Sequence, residues 1–271
     1  MQKPDHKFWN RVRTARERLL ALDYDGTLAP FRVDRMAARP RSDILPVLSS
    51  IEKQGVTRLV IISGRPLHEL EELIGALSRR LILIGAHGWE GRDPGGDLFR
   101  HAPPEETRDR LNAAYDMAVG YWEKCPPLLP EIAERVERKN ASVAVHVRGM
   151  PPEKAEEWLA SVRDLWGALE SPFLDIKEFN GGIELRALSR DKGSAIREQL
   201  ERFPSTELIV YLGDDVTDED VFRVLQGLDI GVGIKVGDSD ETSADYRVRD
   251  VDAVLEFLTE WERMAGGSLQ R

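Results

Sequence analysis

A two-part rhythm constrains the fold of this chain more than any other feature of its sequence. In the first and last thirds, short apolar runs alternate with stretches of helical spacing. Arg18–Leu22 is apolar and ends at Asp23-Tyr24-Asp25-Gly26. Residues 42–54 repeat apolar side chains at helical spacing and stop at Gly55, and 58–62 form a second apolar run before Ser63-Gly64-Arg65. Residues 66–78 read as a helix with Pro at its first position, and 81–85 as a third strand before Ala86-His87-Gly88. The last third resumes with helix 191–202, strand 207–212, helix 217–225, strand 229–236 and helix 251–264. Strands alternating with helices predict an α/β fold, a Rossmann-like, doubly wound and largely parallel sheet.

The middle of the chain breaks this rhythm. Residues 104–124 and 152–169 are helical in pattern, while 131–139, 141–148, 173–179 and 182–187 are strand-like. Helix-strand-strand-helix-strand-strand predicts a small inserted α/β unit with a mainly antiparallel sheet. The expected division is a core of 1–92 and 186–271 around a cap of 93–185. An insert between two halves of such a sheet is suited to act as a lid.

Composition excludes several classes. The formal net charge of −10 gives no basic footprint for nucleic acid. No apolar stretch reaches the ~18–20 residues that span a bilayer, so no membrane partner is expected. Residues 1–10 are polar and carry no apolar leader core, and the single cysteine, Cys125, excludes a disulfide framework. A cytoplasmic protein is the expectation.

Four groups of residues carry chemistry. Asp is depleted in strands, so Asp23 and Asp25 at a strand's carboxyl end need a reason, and ligands of open α/β sheets bind there. With strand period 2 they project the same way, and Gly26 permits the turn that follows. One carboxylate can act as nucleophile and the other as general acid and base; a local Asx-turn is the competing explanation. Ser63-Gly64 offers a hydroxyl and backbone N–H groups before a helix, suited to phosphate oxygens but equally to an ordinary cap. Lys192, at a helix start, stands where the helix dipole disfavours a cation; it can balance phosphate and carboxylate charge, or it can be a solvated surface lysine. Finally, Asp214 to Asp220 contains five acids in seven residues after an apolar run. Helix-start preference explains Asp218 to Asp220, but Asp214 and Asp215 at the strand end suggest a hard cation such as Mg²⁺.

Taken in order, these groups resemble the haloacid dehalogenase superfamily of Mg²⁺-dependent phosphotransferases. Gly85-Ala86-His87-Gly88, the stretch from Gly213 to Asp220, and the run from Glu137 to Arg148 narrow the resemblance to the trehalose-6-phosphate phosphatase family, over about residues 18–260. The resemblance implies that Asp23 attacks phosphorus and that Asp25 protonates the leaving sugar oxygen and then activates water. It implies Mg²⁺ held by Asp23, the Asp25 carbonyl and Asp214, with Asp215 or Asp218 nearby. Ser63, Gly64 and Lys192 would bind the phosphoryl group, with Thr27 in support.

In the insert, Val143, Val145 and Val147 alternate with Ser142, His146 and Arg148, so a hairpin with the preceding strand has one apolar and one polar face. Glu137 and Lys139 share a face by the same period, and pattern alone leaves an ordinary exposed sheet face equally open. The resemblance implies that Glu137, Lys139 and Glu184 grip sugar hydroxyls, with Arg148 and Asn180 alongside. The family commonly has an aromatic residue where this chain has Val147, and a lysine near the strand before Glu184 where this chain has Asn180. Both departures bear on sugar choice rather than on phosphatase chemistry. His87 and His146 are read as shaping residues rather than metal ligands, Cys125 as packed, and Trp122, Trp158 and Trp166 as core of the insert. The implied substrate is trehalose 6-phosphate and the implied pathway partner a trehalose-6-phosphate synthase. Glucosylglycerate, mannosylglycerate or sucrose phosphates, or a non-catalytic sugar-phosphate-binding module, are the alternatives.

Overall fold

The computed structural model describes residues 2–124, 135–169, 171–179, 181–238 and 241–267. It divides into two compact units, one of Met1–Arg100 with Asp191–Arg271 and the other of His101–Arg190.

The first unit is built on an eight-stranded sheet. Its strands are β1 (Arg18–Leu22), β2 (Thr57–Ile62), β3 (Ile82–Gly85), β4 (Glu90–Arg92), β5 (Leu98–Arg100), β10 (Leu208–Gly213), β11 (Gly231–Val236) and β12 (Tyr246–Val248). The order is β12-β11-β10-β1-β2-β3-β4-β5, parallel from β12 to β3 and antiparallel at β4 and β5. The parallel strands are covered on both faces, which is why they read as continuous apolar runs. Along β1, Leu20 and Leu22 enter one core layer while Leu19 and Ala21 enter the other. The first layer is filled by α1 (His6–Thr14), α2 (Ile44–Lys53), α3 (Leu67–Ile74) and α8 (Val251–Gly266), which contribute Phe8, Leu48, Leu70 and Trp261 among others. The second is filled by α6 (Lys192–Arg202) and α7 (Glu219–Gln226), through Ile196 and Phe222.

Four features differ from the sequence expectation. The helix α1 was not expected, because only Phe8 and Val12 of its nine residues are buried, too few for a clear apolar stripe. Asp5 starts it by accepting from Phe8 N at 2.9 Å. The helix expected over 66–78 stops at Gly75, whose φ of +66° no α-helix continues; a 3₁₀ segment follows to Arg80. The strands β4, β5 and β12 are three residues long, below the length at which alternation can be read. Because β4 and β5 extend the core sheet, the second unit begins at His101 and ends at Arg190, rather than spanning 93–185.

The second unit has a four-stranded antiparallel sheet in the order β6-β7-β9-β8, from Val136–Arg138, Ser142–His146, Gly182–Ala187 and Leu174–Phe179. Helices α4 (Glu105–Lys124) and α5 (Pro152–Gly167) cover one face. Val143, Val145, Ile183 and Leu185 point into that core, where they meet Trp122, Trp158 and Trp166. Trp122 and Trp158 stand edge to face at 4.7 Å, and Trp166 Nε1 donates to Ala114 O at 3.0 Å. The three tryptophans are therefore helix-to-sheet packing, as their spacing suggested. Cys125 lies outside the described residues. Among the described residues, no helix is long and apolar enough to cross a membrane.

Candidate active site

β1 lies between β10 on one side and β2 on the other, so the chain order reverses there. A crevice forms at the carboxyl ends of strands at such a point. The three strands end at Leu22, Gly213 and Ile62, and the next residues are Asp23, Asp214 and Ser63. Tertiary pairing thus gathers groups separated by up to 190 residues of chain.

Asp23 is locked in place by its backbone, whose N–H donates to Leu212 O of β10 at 2.9 Å. Its carboxylate is buried beside those of Asp214 and Asp218, with one oxygen from each within 4.8 Å of the others. Lys192 Nζ lies 2.8 Å from Asp23 Oδ1 and 2.7 Å from Asp218 Oδ1. The lysine is thus a buried counter-ion at the start of α6, not a solvated surface residue. Asp191 offsets its unfavourable place in the helix dipole by capping α6 through Ser194 N at 2.6 Å.

Burial pushes the Asp23 carboxyl up to about 7, against the pull of Lys192. Asp214 rises further, to about 9, through burial and the charges of Asp23, Asp218 and Asp215. Burial opposes the Lys192 charge, but Asp218 and Asp23 outweigh it and hold the ammonium well above the usual lysine range. When all three are ionised, the buried Asp23 and Asp218 and the half-buried Asp214 outnumber the one ammonium and leave an excess of negative charge at the floor of the site.

That excess fits a divalent cation. Asp214 Oδ1 is buried with no hydrogen-bond partner among the described residues, and the donor set is carboxylate oxygen, which suits Mg²⁺. The backbone is shaped to the same end. Gly26 has φ +75°, and a Cβ there would collide with the Asp214 carboxylate. A Cβ at Gly213 would collide with Asp218.

The other predicted residues fall in distinct places. Asp25 lies beyond the end of β1, in the turn closed by Gly26 N donating to Ala29 O at 2.8 Å. The period-2 argument therefore does not govern the Asp pair, and the two carboxylates have different partners. Asp25 Oδ2 accepts from Arg65 Nε at 2.6 Å and Oδ1 from Arg65 Nη2 at 2.7 Å. Thr27 is buried, and its Oγ1 has no hydrogen-bond partner among the described residues. Ser63 is buried and its Oγ accepts from Arg65 N at 3.1 Å, leaving its hydroxyl proton to give. Gly64 lets the His87 ring approach closely, since a Cβ there would stand 2.6 Å from Nε2. His87 itself sits in a left-handed turn with Ala86, at φ 55° and 49°.

Asp215 stands apart from the three-carboxylate cluster among the described residues. Its Oδ1 accepts from Val216 N at 2.7 Å, and its own N–H donates to Asp218 Oδ2 at 2.8 Å. Asp218 is fully buried and takes Tyr211 OH at 2.6 Å as well as Lys192 on Oδ1. Asp218 therefore anchors Lys192 while contributing charge to the cluster.

Three neighbours were missed by sequence reasoning. Arg65 was visible beside Ser63-Gly64 but had no assigned role. Tyr211 was hidden as one more member of an apolar strand; burial and the nearby Asp218 and Asp23 charges push its hydroxyl well above the ordinary range. Lys235 is buried on β11 with Nζ 3.3 Å from Asp215 O, which ties down the acidic loop. Only an unusual hydroxyl or cation within an apolar run could have signalled the last two.

In the second unit, the sheet face opposite its core carries a polar array. Glu137, Ala144, Glu184 and Lys177 are in register across the four strands. Lys139 Nζ and Ser142 Oγ donate to Glu184 Oε1 at 2.8 and 2.7 Å. His146 Nε2 lies 3.0 Å from Glu137 Oε2, which accounts for His146 without a metal. Arg148 lies past the end of β7, where its side chain packs over Gly181. Asn180 lies outside the described residues.

A family model described as trehalose-phosphatase matches residues 21–252. The chain belongs to the trehalose-phosphatase family. It is 28% identical over 263 residues to a probable trehalose-phosphate phosphatase I of Arabidopsis thaliana, covering 91% of this chain and 68% of that protein. It is 27% identical over 241 residues to the trehalose-phosphatase of Zygosaccharomyces rouxii, covering 80% of this chain but only 26% of that longer protein. The C-terminal domain of Candida albicans trehalose-6-phosphate phosphatase shares the fold, with a TM-score of 0.79 at 22% identity over 97% of this chain and 98% of that one. The trehalose-phosphatase family assignment and the mostly parallel core sheet agree with the haloacid-dehalogenase-like fold that the motifs implied.

Proposed function

We propose that this protein is a Mg²⁺-dependent phosphatase that hydrolyses trehalose 6-phosphate to trehalose and phosphate through an aspartyl-phosphate. The observation that carries the reading is the cluster of buried Asp23 and Asp218 with half-buried Asp214, Lys192 bridging Asp23 and Asp218, in a chain of the trehalose-phosphatase family. Surface acids do not assemble this way by accident, since burying like charges is costly without a cation.

Asp23 attacks phosphorus, forming an O–P bond as the bond to the sugar oxygen breaks. Asp25 gives its proton to that leaving oxygen. It then takes a proton from the water that attacks the aspartyl-phosphate, which frees Asp23 and releases phosphate. Lys192, the Ser63 hydroxyl, the Gly64 N–H and Thr27 Oγ1 hold phosphoryl oxygens as charge redistributes. Asp23, Asp214 and the Asp25 carbonyl would hold Mg²⁺, with Asp218 behind them and Asp215 shaping the loop. The ion, when bound, neutralises phosphoryl oxygen charge. Glu137, Lys139 and Glu184 supply acceptors and donors for sugar hydroxyls, and the family resemblance adds Arg148 and Asn180 to that set. The substrate would come from a trehalose-6-phosphate synthase in the same cytoplasm.

A phosphate-release panel tests the reading. Trehalose 6-phosphate should be the preferred substrate over glucosylglycerate, mannosylglycerate, sucrose and glucose phosphates. Asp23→Asn should abolish release by at least about 10³-fold while the fold survives, as judged by circular dichroism. Preference for another ester reassigns the sugar; turnover by Asp23→Asn removes the nucleophile assignment.

A further inference from the structure

We propose that Arg65 is a positioning residue for the acid–base carboxyl, selecting which edge of Asp25 exchanges a proton with substrate and water. The inference rests on the phosphatase reading above and adds a residue to it. A carboxylate oxygen has two in-plane lone pairs, and Arg65 occupies one on each oxygen through Nε and Nη2, at 2.6 and 2.7 Å. The fork aligns the carboxylate with the guanidinium plane, so only the edge facing away from Arg65 is open to a proton.

Arg65 is itself held. It is only 6% exposed, its Nη1 donates to Glu69 Oε2 at 3.3 Å, and Glu69 Oε1 takes Arg35 Nη2 at 2.5 Å. Its guanidinium lies over the Tyr24 ring, 5.4 Å from the centroid, and Tyr24 is anchored through its hydroxyl to Ala38 O at 2.8 Å. The backbone of the same residue serves the phosphate side. Arg65 N donates to Ser63 Oγ, and Arg65 O accepts from Ala86 N at 2.8 Å. One residue therefore sets the direction of both the phosphate-binding hydroxyl and the acid–base carboxyl. Its burial and its three engaged donors distinguish it from an arginine that binds phosphate directly.

The test is Arg65→Lys, which keeps the charge but replaces the fork by a single point of donation. kcat/KM reports the first phosphoryl transfer, where a sugar alkoxide needs a proton and a p-nitrophenolate does not. We expect kcat/KM for the preferred sugar phosphate to fall about 10- to 100-fold, within the range of general acid catalysis. For p-nitrophenyl phosphate the fall should be under about threefold, and competitive inhibition by inorganic phosphate should not change. Glu69→Gln, which loosens the frame without touching Asp25, should give the same pattern more weakly and guards against a misfolded Arg65 variant. Equal losses on both esters, or weakened phosphate inhibition, overturn the inference. A wild-type protein that hydrolyses neither ester overturns the phosphatase reading and this inference with it.

Discussion

Gly26 shows how much a single position can carry. Its φ of +75° is costly for any other residue, by about 1–2 kcal/mol, and the site above it has no room for a methyl group. Gly26→Ala should displace Asp214 and lower kcat at saturating Mg²⁺ by roughly tenfold or more, since each 1.36 kcal/mol is a factor of ten. An Mg²⁺ titration of activity should show the apparent metal affinity falling as well. Unchanged metal affinity would mean that the loop relaxes without moving Asp214. Asp218 makes the complementary point. Its carboxylate accepts from Lys192, Tyr211 and Asp215 N, and nothing in the spacing of Asp214 to Asp220 distinguishes that anchoring role from the role of Asp214.

At the scale of elements, strand period and pairing register separate the two faces of the second unit. Val143 and Val145 go inward with Ile183 and Leu185, which turns Ser142, His146 and Glu184 to the opposite face. A one-residue slip would exchange the two sets, so the buried valines specify the polar array as strictly as they specify the core. Glu137→Ala should raise KM for trehalose 6-phosphate about tenfold, by the loss of one charged hydrogen-bonding partner, while kcat/KM for p-nitrophenyl phosphate changes less than about twofold. Equal effects on both substrates would assign Glu137 to holding His146 and Lys139 rather than to sugar. In the first unit, the ends of β1, β2 and β10 do for the phosphate chemistry what register does for the array.

For the molecule as a whole, the acidic cluster links stability, metal and pH. Burial raises Asp23 from 3.8 to about 7 and Asp214 from 3.8 to about 9 in the fold. Between those limits the native state binds more protons than the unfolded chain, so metal-free stability falls as pH rises from about 4 through 9. A cation that binds only the native site replaces those protons and stabilises by mass action. The rise in Tm on adding Mg²⁺ over EDTA should therefore grow between pH 6 and 9, and Asp214→Asn should remove it. A shift independent of pH would place the metal away from these carboxylates. Local sequence alone sufficed to read the alternation of strands and helices and the inserted unit, and to single out Asp23, Ser63, Lys192 and Asp214 as candidates. Those follow from local period and from residue types that are anomalous where they stand. Long-range pairing puts β4 and β5 in the core sheet, joins Asp25 to Arg65, and brings Tyr211 and Lys235 to steady the acidic loop. Such pairings join residues that neighbour one another through the sheet rather than along the chain, and no local periodicity records them.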